Sequence, residues 1–313
     1  VKSTDRFSAN LGTFAGAKAS ASPMVSPSAV TSALADVQER LYEAPRQRLV
    51  VADLLGQETT TRTAVTYFVE SATVNGAVAY VAEGAEKPLV SFGDPTPVTD
   101  KVMKIAAVLK ESDEMVDDLP WLASSINNRG IYLVRLFEEQ QLLNGTSSGT
   151  TITGILNRTG IQTEQTASGE PSVADAIFRA ITKVAQNPPF EVDGIVINPT
   201  DYQTLRLAKD SNNQYYGGGF FSGQYGNGGV MEQPPIWGLR NVVTPAIAQG
   251  TVLVGAFRQG ASVIRRQGLT VEIANQNEDD FVNNRVAIRI EERLALAVRY
   301  PAAFCKTTVT PAA

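Results

Sequence analysis

The sequence predicts a mixed α+β fold, and three stretches carry that prediction. VAIRIEERLALAVRY alternates almost without a break from Val286 to Tyr300, the period of a long strand. The stretch from about Leu119 to Asn144 reads as one helix of about 24 residues, roughly 36 Å at 1.5 Å per residue. From Ser172 the pattern changes to alternating helix and strand. With 313 residues, 43% of them hydrophobic, the chain can bury a sizeable core as two lobes or one elaborate domain.

Residues 1–48 are rich in Ala, Ser and Thr and hold one helical stretch, Ser32–Glu43. Such a segment has little to bury alone and reads as an arm that orders on a partner surface. A short strand is expected at Leu49–Leu55. Alternation at Val65, Tyr67 and Val69, then at Val78, Tyr80 and Ala82, predicts two strands of a long hairpin. An isolated hairpin is marginal in water, so this one is expected to rest on something else. Val102–Ser112 alternates again. In the long helix Pro120 suits the first turn, Asp117 or Asp118 can cap it, and Gly145 stands where a left-handed C-terminal residue belongs. Leu119, Leu122, Ile126, Leu133 and Phe137 make its expected apolar face. Beyond Ser172 the reading gives helix at Val173–Ala185 and Thr200–Ala208. It gives strands at Gly194–Asn198, Val242–Thr244, Thr251–Gly255 and Ala261–Ile264, then long strands over Leu269–Val309.

Several chemistries are excluded or disfavoured. There is no histidine, so neither a Ser-His-Asp triad nor a Cys-His pair at Cys305 can exist, and zinc would have carboxylates alone. One cysteine permits no internal disulfide, and Cys305 reads as a small core residue. A net charge of −5 and a pI near 5.0 argue against a nucleic-acid-binding surface. No apolar run approaches the roughly 20 residues of a membrane span. NGTSSGT, from Asn144 to Thr150, lacks the spacing and lysine of a phosphate cradle, and the Asn144 and Asn157 sequons have no secretory context, so a hinge is the reading left. The glycine-rich loop between Gln214 and Gln233 reads as a mobile contact loop anchored by Phe220, Phe221 and Tyr225. Asp113, Glu114, Asp117 and Asp118 lack EF-hand spacing and fit a helix N-terminus.

Longer motifs point to a family. INNRGIYLVRLFEEQQLLNGTSSGTTITGIL resembles the spine helix and following turn of tailed-bacteriophage major capsid proteins of the Hong Kong ninety-seven type. VAEGAEKPLVSF resembles their extended loop. GIVINPTDYQTLRLAKDSNNQYY, PPIWGLRNVV and DDFVNNRVAIRIEERLALAVRYPAAF resemble later segments in the same order, so the likeness runs from about Leu49 to Lys306. The resemblance implies an N-terminal arm at 1–48 and an extended β-hairpin loop at 63–101. It implies a peripheral domain from 49–62 and 102–171 with its spine helix at about 119–144, an axial α/β domain at 172–265, and peripheral strands at 266–313. It implies subunits that assemble into pentamers and hexamers and close an icosahedral virion capsid around double-stranded DNA, without sequence-specific binding and without a membrane. A portal, a maturation protease and decoration proteins would be the partners, and the bacterial host cytoplasm the place of assembly. Removal of a precursor segment would account for Val1.

The resemblance also implies a site, with no cofactor and no metal. Some relatives weld the shell by an isopeptide bond. Lys87 in EKP matches the lysine, Asn284 in FVNNR the asparagine, and Glu291 in IEERL the carboxylate that assists. Each subunit would react once, so the protein is not expected to be a turnover enzyme. Alternation selects Glu292 instead, because Glu292 shares the face of Val286, Ile288, Ile290, Leu294 and Leu296. Asn283 is the alternative acceptor. Two other readings compete: an encapsulin-type nanocompartment subunit, and a hydrolase built on paired carboxylates.

Overall fold

The structure is a computed structural model and describes residues 45–70, 74–114, 120–146, 148–166, 173–186, 190–209, 212–213, 235–276 and 279–309. The helical stretch expected at Ser32–Glu43, the caps expected at Asp117 and Asp118, and the anchors expected at Phe220, Phe221 and Tyr225 lie outside those residues. The chain divides after Pro45, and every element described belongs to the unit Arg46–Ala313. Its strands and longer helices, in chain order, are β1 (Gly56–Thr59), β2 (Ala64–Val69), β3 (Val74–Asn75), β4 (Ser91–Phe92), β5 (Thr96–Lys101), β6 (Met103–Ser112), α1 (Pro120–Asn144), β7 (Gln162–Gln165), α2 (Val173–Gln186), β8 (Gly194–Ile197), α3 (Pro199–Arg206), β9 (Arg240–Val243), β10 (Thr251–Gly255), β11 (Ala261–Ala274), β12 (Arg285–Val298) and β13 (Phe304–Thr308); single helical turns stand at Val51–Leu54, where a strand was expected, and at Phe257–Gly260.

The strands build two larger sheets, ordered β1-β11-β12-β6 and β7-β13-β10-β8-β9, and two two-stranded ribbons, β2-β5 and β3-β4. In the first, β12 pairs antiparallel with β11 on one side and β6 on the other. Period two turns Val286, Ile288, Ile290, Glu292, Leu294 and Leu296 inward. Towards its end β12 is buried on both faces, because Val65, Tyr67 and Val102 cover Ala295 and Ala297. In the second sheet α2 packs Ile177, Ala180 and Val184 against Ile195, Ile197, Val252, Val254 and Cys305. Cys305 is buried there, and burial pushes its thiol up to about 11. Phe304–Thr308, expected among the long tail strands, joins this second sheet instead. The turn Pro301–Ala303 redirects the chain, and Phe304 then meets Phe257 edge-to-face at 5.4 Å.

Helix α1 lies across the inward face of the first sheet, and of its expected apolar face Ile126 packs there against Val134, Ile288 and Ile290. Leu133 and Phe137 are exposed, while Gly130, Val134 and Glu138 face inward. Closest approach decides which i, i+4 row is used: a Cβ on Gly130 would stand 2.3 Å from Ile290 Cδ1. Gly145 also corrects an expectation, since it is not among the glycines with positive φ. A Cβ there would sit 2.2 Å from the Ile152 carbonyl oxygen, so the glycine serves a backbone crossing. The Gly154 N–H donates to the Gly145 carbonyl at 2.9 Å. Asn157 Nδ2 donates to the Asn144 carbonyl at 2.9 Å, and Asn144 Nδ2 to the Ala246 carbonyl at 2.8 Å. The stretch expected as a hinge is a pinned crossing, and both sequon amides are committed to it.

The loop departs furthest from expectation. β2 pairs with β5, from Ala64↔Lys101 to Val69↔Thr96, and no strand forms over Val78–Ala82. Among the described residues only the two-residue β3 and β4 pair beyond that ribbon.

Candidate functional site

Asn284 stands at the far end of β12 from the loop base. The backbone from Asp279 makes one helical turn that ends at Asn284, whose φ of 48° is left-handed. Asparagine is among the few residues that adopt this conformation readily. The Arg285 N–H closes the turn on the Asp280 carbonyl at 2.8 Å, the six-to-one bond of a helix C-terminus. The Asp113 N–H donates to the Asn284 carbonyl at 2.9 Å and fastens the turn to β6. Asp280, buried, pairs with Lys110 at 3.1 Å beneath it. The Asn284 side chain is exposed and makes no hydrogen bond among the described residues. Asn283 Nδ2, by contrast, donates to the Asp279 carbonyl at 2.9 Å.

Lys87 lies in the loop between β3 and β4, exposed and without an ion pair among the described residues. Pro88 after it favours extended backbone. Glu291 and Glu292 point to opposite faces of β12. Glu291 faces outward, where Lys104 Nζ lies 3.1 Å and Arg289 Nε 3.3 Å from Oε1. The hydrogen bond from Lys104, with the charges of Arg289 and Arg293, holds its carboxyl below the usual carboxylate range. Glu292 is 1% exposed beneath α1 and pairs with Arg265, whose Nη2 also donates to Glu138 Oε1 at 2.6 Å. These groups line a cleft of about 470 Å³ with Arg135 and Glu139, and burial pushes the Glu138 carboxyl up. Glu292 is thus the desolvated carboxylate that alternation selects, while Glu291 lies on the opposite face, largely covered by its ion-pair partners with its side chain 13% exposed.

Within one chain the structure does not bring Lys87, Asn284 and Glu291 together. It does reveal a joint with no counterpart in the sequence patterns. Arg158 Nη2 lies 2.7 Å from Asp100 Oδ1, and the same guanidinium donates to the carbonyls of Leu296 at 2.6 Å and Thr153 at 3.3 Å. The Tyr67 hydroxyl lies 2.9 Å from Asp100 Oδ2 and 3.0 Å from the Val298 carbonyl. Burial, then the Asp100 charge, pushes that phenol up to about 12. Ribbon β2/β5, strand β12 and the crossing after α1 meet at this joint. Its three side chains come from segments far apart in sequence, so no local spacing could have announced it.

Comparison with known proteins agrees with this architecture. The phage capsid family profile matches residues 33–309. The major capsid protein of Enterobacteria phage HK97 is 39% identical over 266 residues, which is 84% of this chain and 65% of that protein. The chain therefore spans a little less than two thirds of that relative's length. Among solved structures, a chain of Mycobacterium phage Cain is 14% identical with a TM-score of 0.70, covering 92% of this chain and 99% of its own. The capsid of a native GTA particle is 16% identical with a TM-score of 0.69, covering 91% and 98%. At such identities the structural likeness speaks for the fold alone, while the profile match spans most of the sequence. With its long helix laid on a sheet built around β12, its second sheet and its projecting loop, the chain belongs to the phage capsid family.

Proposed function

We propose that the chain is the shell-forming major capsid protein of a tailed phage. Copies associate into pentamers and hexamers that close an icosahedral shell around packaged DNA, with a portal and a maturation protease as further partners. The observation that carries this reading is the loop. Val78, Tyr80 and Leu89 are 92%, 108% and 87% exposed, and among the described residues only two-residue strands brace the loop beyond its base. Such a surface is costly in water and is covered when a second copy supplies the other side.

The finer part of the proposal is a covalent weld. The neutral Lys87 amine of one copy attacks Cγ of Asn284 in another. The Cγ–Nδ2 bond breaks, an Nζ–Cγ bond forms, and ammonia leaves. A carboxylate takes the proton from Nζ and delivers it to the departing nitrogen. Six residues of strand, roughly 20 Å at about 3.3 Å per residue, separate Arg285 from Glu291. The Asn284 and Glu291 that act on one bond therefore belong to different copies. Glu291 is supported over Glu292 because Glu292 is sealed beneath α1, whereas Glu291 lies on the other face and is covered only by ion-pair partners; a neighbour must disturb its pairs with Lys104 and Arg289 before it can act as a base.

Sedimented particles run on a boiled, reducing denaturing gel test both levels. A ladder of covalent multimers, absent from Lys87→Ala shells, is the expected result. Particles that dissolve to one band near 33.5 kDa would remove the weld and leave the shell. Particles that hold cargo protein in place of DNA would favour a nanocompartment, and absence of particles would sink the shell reading.

A further inference from the structure

Two adjacent asparagines, Asn283 and Asn284, carry chemically identical carboxamides at one turn, and a lysine reaching that turn could attack either. We propose that Asn283 is a positioning residue for the linking reaction: the turn from Asp279 to Asn284 withholds the first carboxamide and presents the second, and so selects Asn284 as the acceptor. The inference rests on the welding reaction proposed above and adds a residue and a selection rule to it.

The two amides differ in what they touch. Asn283 is tied twice to one oxygen, since its backbone N–H donates to the Asp279 carbonyl at 3.1 Å and its Nδ2 to the same carbonyl at 2.9 Å. Its carboxamide is folded back along the turn. The chain then reverses at Asn284 in the left-handed region, which throws the next side chain outward. Asn284 is held from both sides through its backbone, by Asp113 at its own carbonyl and by the Arg285 N–H on Asp280. No described residue engages its side chain. Rigid backbone and free carboxamide are what an acceptor needs. An incoming amine must be held about 3 Å from the carbonyl carbon and in line, and misplacement by about 1 Å costs on the order of 100-fold in rate.

The Asn283 side chain adds a second bond to the one that closes this turn. Without it the turn frays and Asn284 samples positions that a neighbour's Lys87 cannot use. A serine can restore the tie without restoring a carboxamide, because a serine hydroxyl donates to the carbonyl four residues back. A glycine at position 284 keeps the positive φ at no steric cost and removes the acceptor.

The experiment follows covalent ladder formation with time in assembled shells of wild type, Asn283→Ala, Asn283→Ser and Asn284→Gly, with mass spectrometry of the linked peptide. Wild type and Asn283→Ser should link at similar rates and only at Asn284. Asn283→Ala should link about 10- to 100-fold more slowly while its shells sediment like wild type, and Asn284→Gly should not link. An Asn283→Ala shell that links at the wild-type rate overturns the positioning role. If Asn283→Ser abolishes the ladder while Asn284→Gly still forms it, Asn283 is the acceptor and the selection rule is reversed. Wild-type shells that sediment but form no ladder overturn the welding reaction itself, a result distinct from the other two. Should Asn283→Ala shells fail to assemble, linked peptide from Asn283→Ser still decides which carboxamide reacts.

Discussion

Strand β12 and the stretch Val74–Phe92 are both rich in valine and alanine, and both alternate in sequence. Yet one is the most buried strand of the first sheet and the other is bare. Leu294, Ala295, Leu296 and Ala297 are each at most 1% exposed, whereas Val78, Tyr80 and Leu89 stand almost wholly in solvent. β12 has β6 and β11 as hydrogen-bonding partners and α1 as a lid. The loop has two residues of pairing beyond its ribbon. Alternation says that a segment fits a half-buried surface; it does not say whose surface that is. The body supplies its own, and the loop finds none within the described residues, which is the surface the proposed assembly would provide.

That contrast can be broken by substitutions whose effects should fall in a definite order when single chains are unfolded with urea. The largest belongs to the body. A Cβ on Gly154 would lie 2.4 Å from the Gly145 nitrogen and 2.5 Å from the Leu143 carbonyl oxygen, backbone atoms that cannot rotate aside. Gly154→Ala should cost about 3 kcal/mol, and a midpoint equal to wild type would show that the crossing is not tight. The joint between the two regions comes next. Arg158→Ala removes the cation beside Asp100, which keeps only the Tyr67 hydroxyl, and takes away the guanidinium that donates to the Leu296 carbonyl; both side chains of the ion pair are only 12% and 11% exposed. A loss of about 2 kcal/mol is expected, together with faster hydrogen exchange across Ala64–Val69 and Thr96–Lys101. Exchange unchanged there would mean that the joint does not hold the ribbon.

The smallest effect on the single chain belongs to the loop. Tyr80→Ser combined with Leu89→Ser should change its stability by less than about 0.5 kcal/mol, because neither side chain is buried in it. The same pair should abolish sedimenting particles. A pair that destabilised the chain by more than a kilocalorie, or that assembled normally, would erase the distinction between a self-supporting body and a loop completed by its neighbour.

The parts of the candidate site differ in how they could be read from the sequence. Lys87, Asn284 and Glu291 came from likeness to a family, and membership in that family is now established. The alternation along Val286–Leu296 did identify which of Glu291 and Glu292 is buried, since period two holds through that length of β12. On α1 spacing identifies Ile126 as facing the sheet but not the rest of its row. Leu133 and Phe137 look like core by spacing, but the helix approaches where it can come closest, at Gly130. Gly145 was misassigned for a similar reason: a glycine permits both positive φ and close approach, and only the neighbouring Ile152 carbonyl reveals which one is used.

By itself the sequence determined the local periods: the long helix, the alternating tail, the helix–strand order after Ser172, and the absence of any histidine chemistry. These depend on residues a few positions apart, and nearest-neighbour sterics and burial patterns suffice to set them. The tertiary structure alone decided that Phe304–Thr308 leaves the long strands for the second sheet. It also decided that Arg158, Asp100 and Tyr67 meet, and that Asn283 is tied back while Asn284 is offered outward. Each of these depends on contacts whose partners are fixed by packing, and no local pattern in the chain encodes which distant carbonyl or carboxylate will be there.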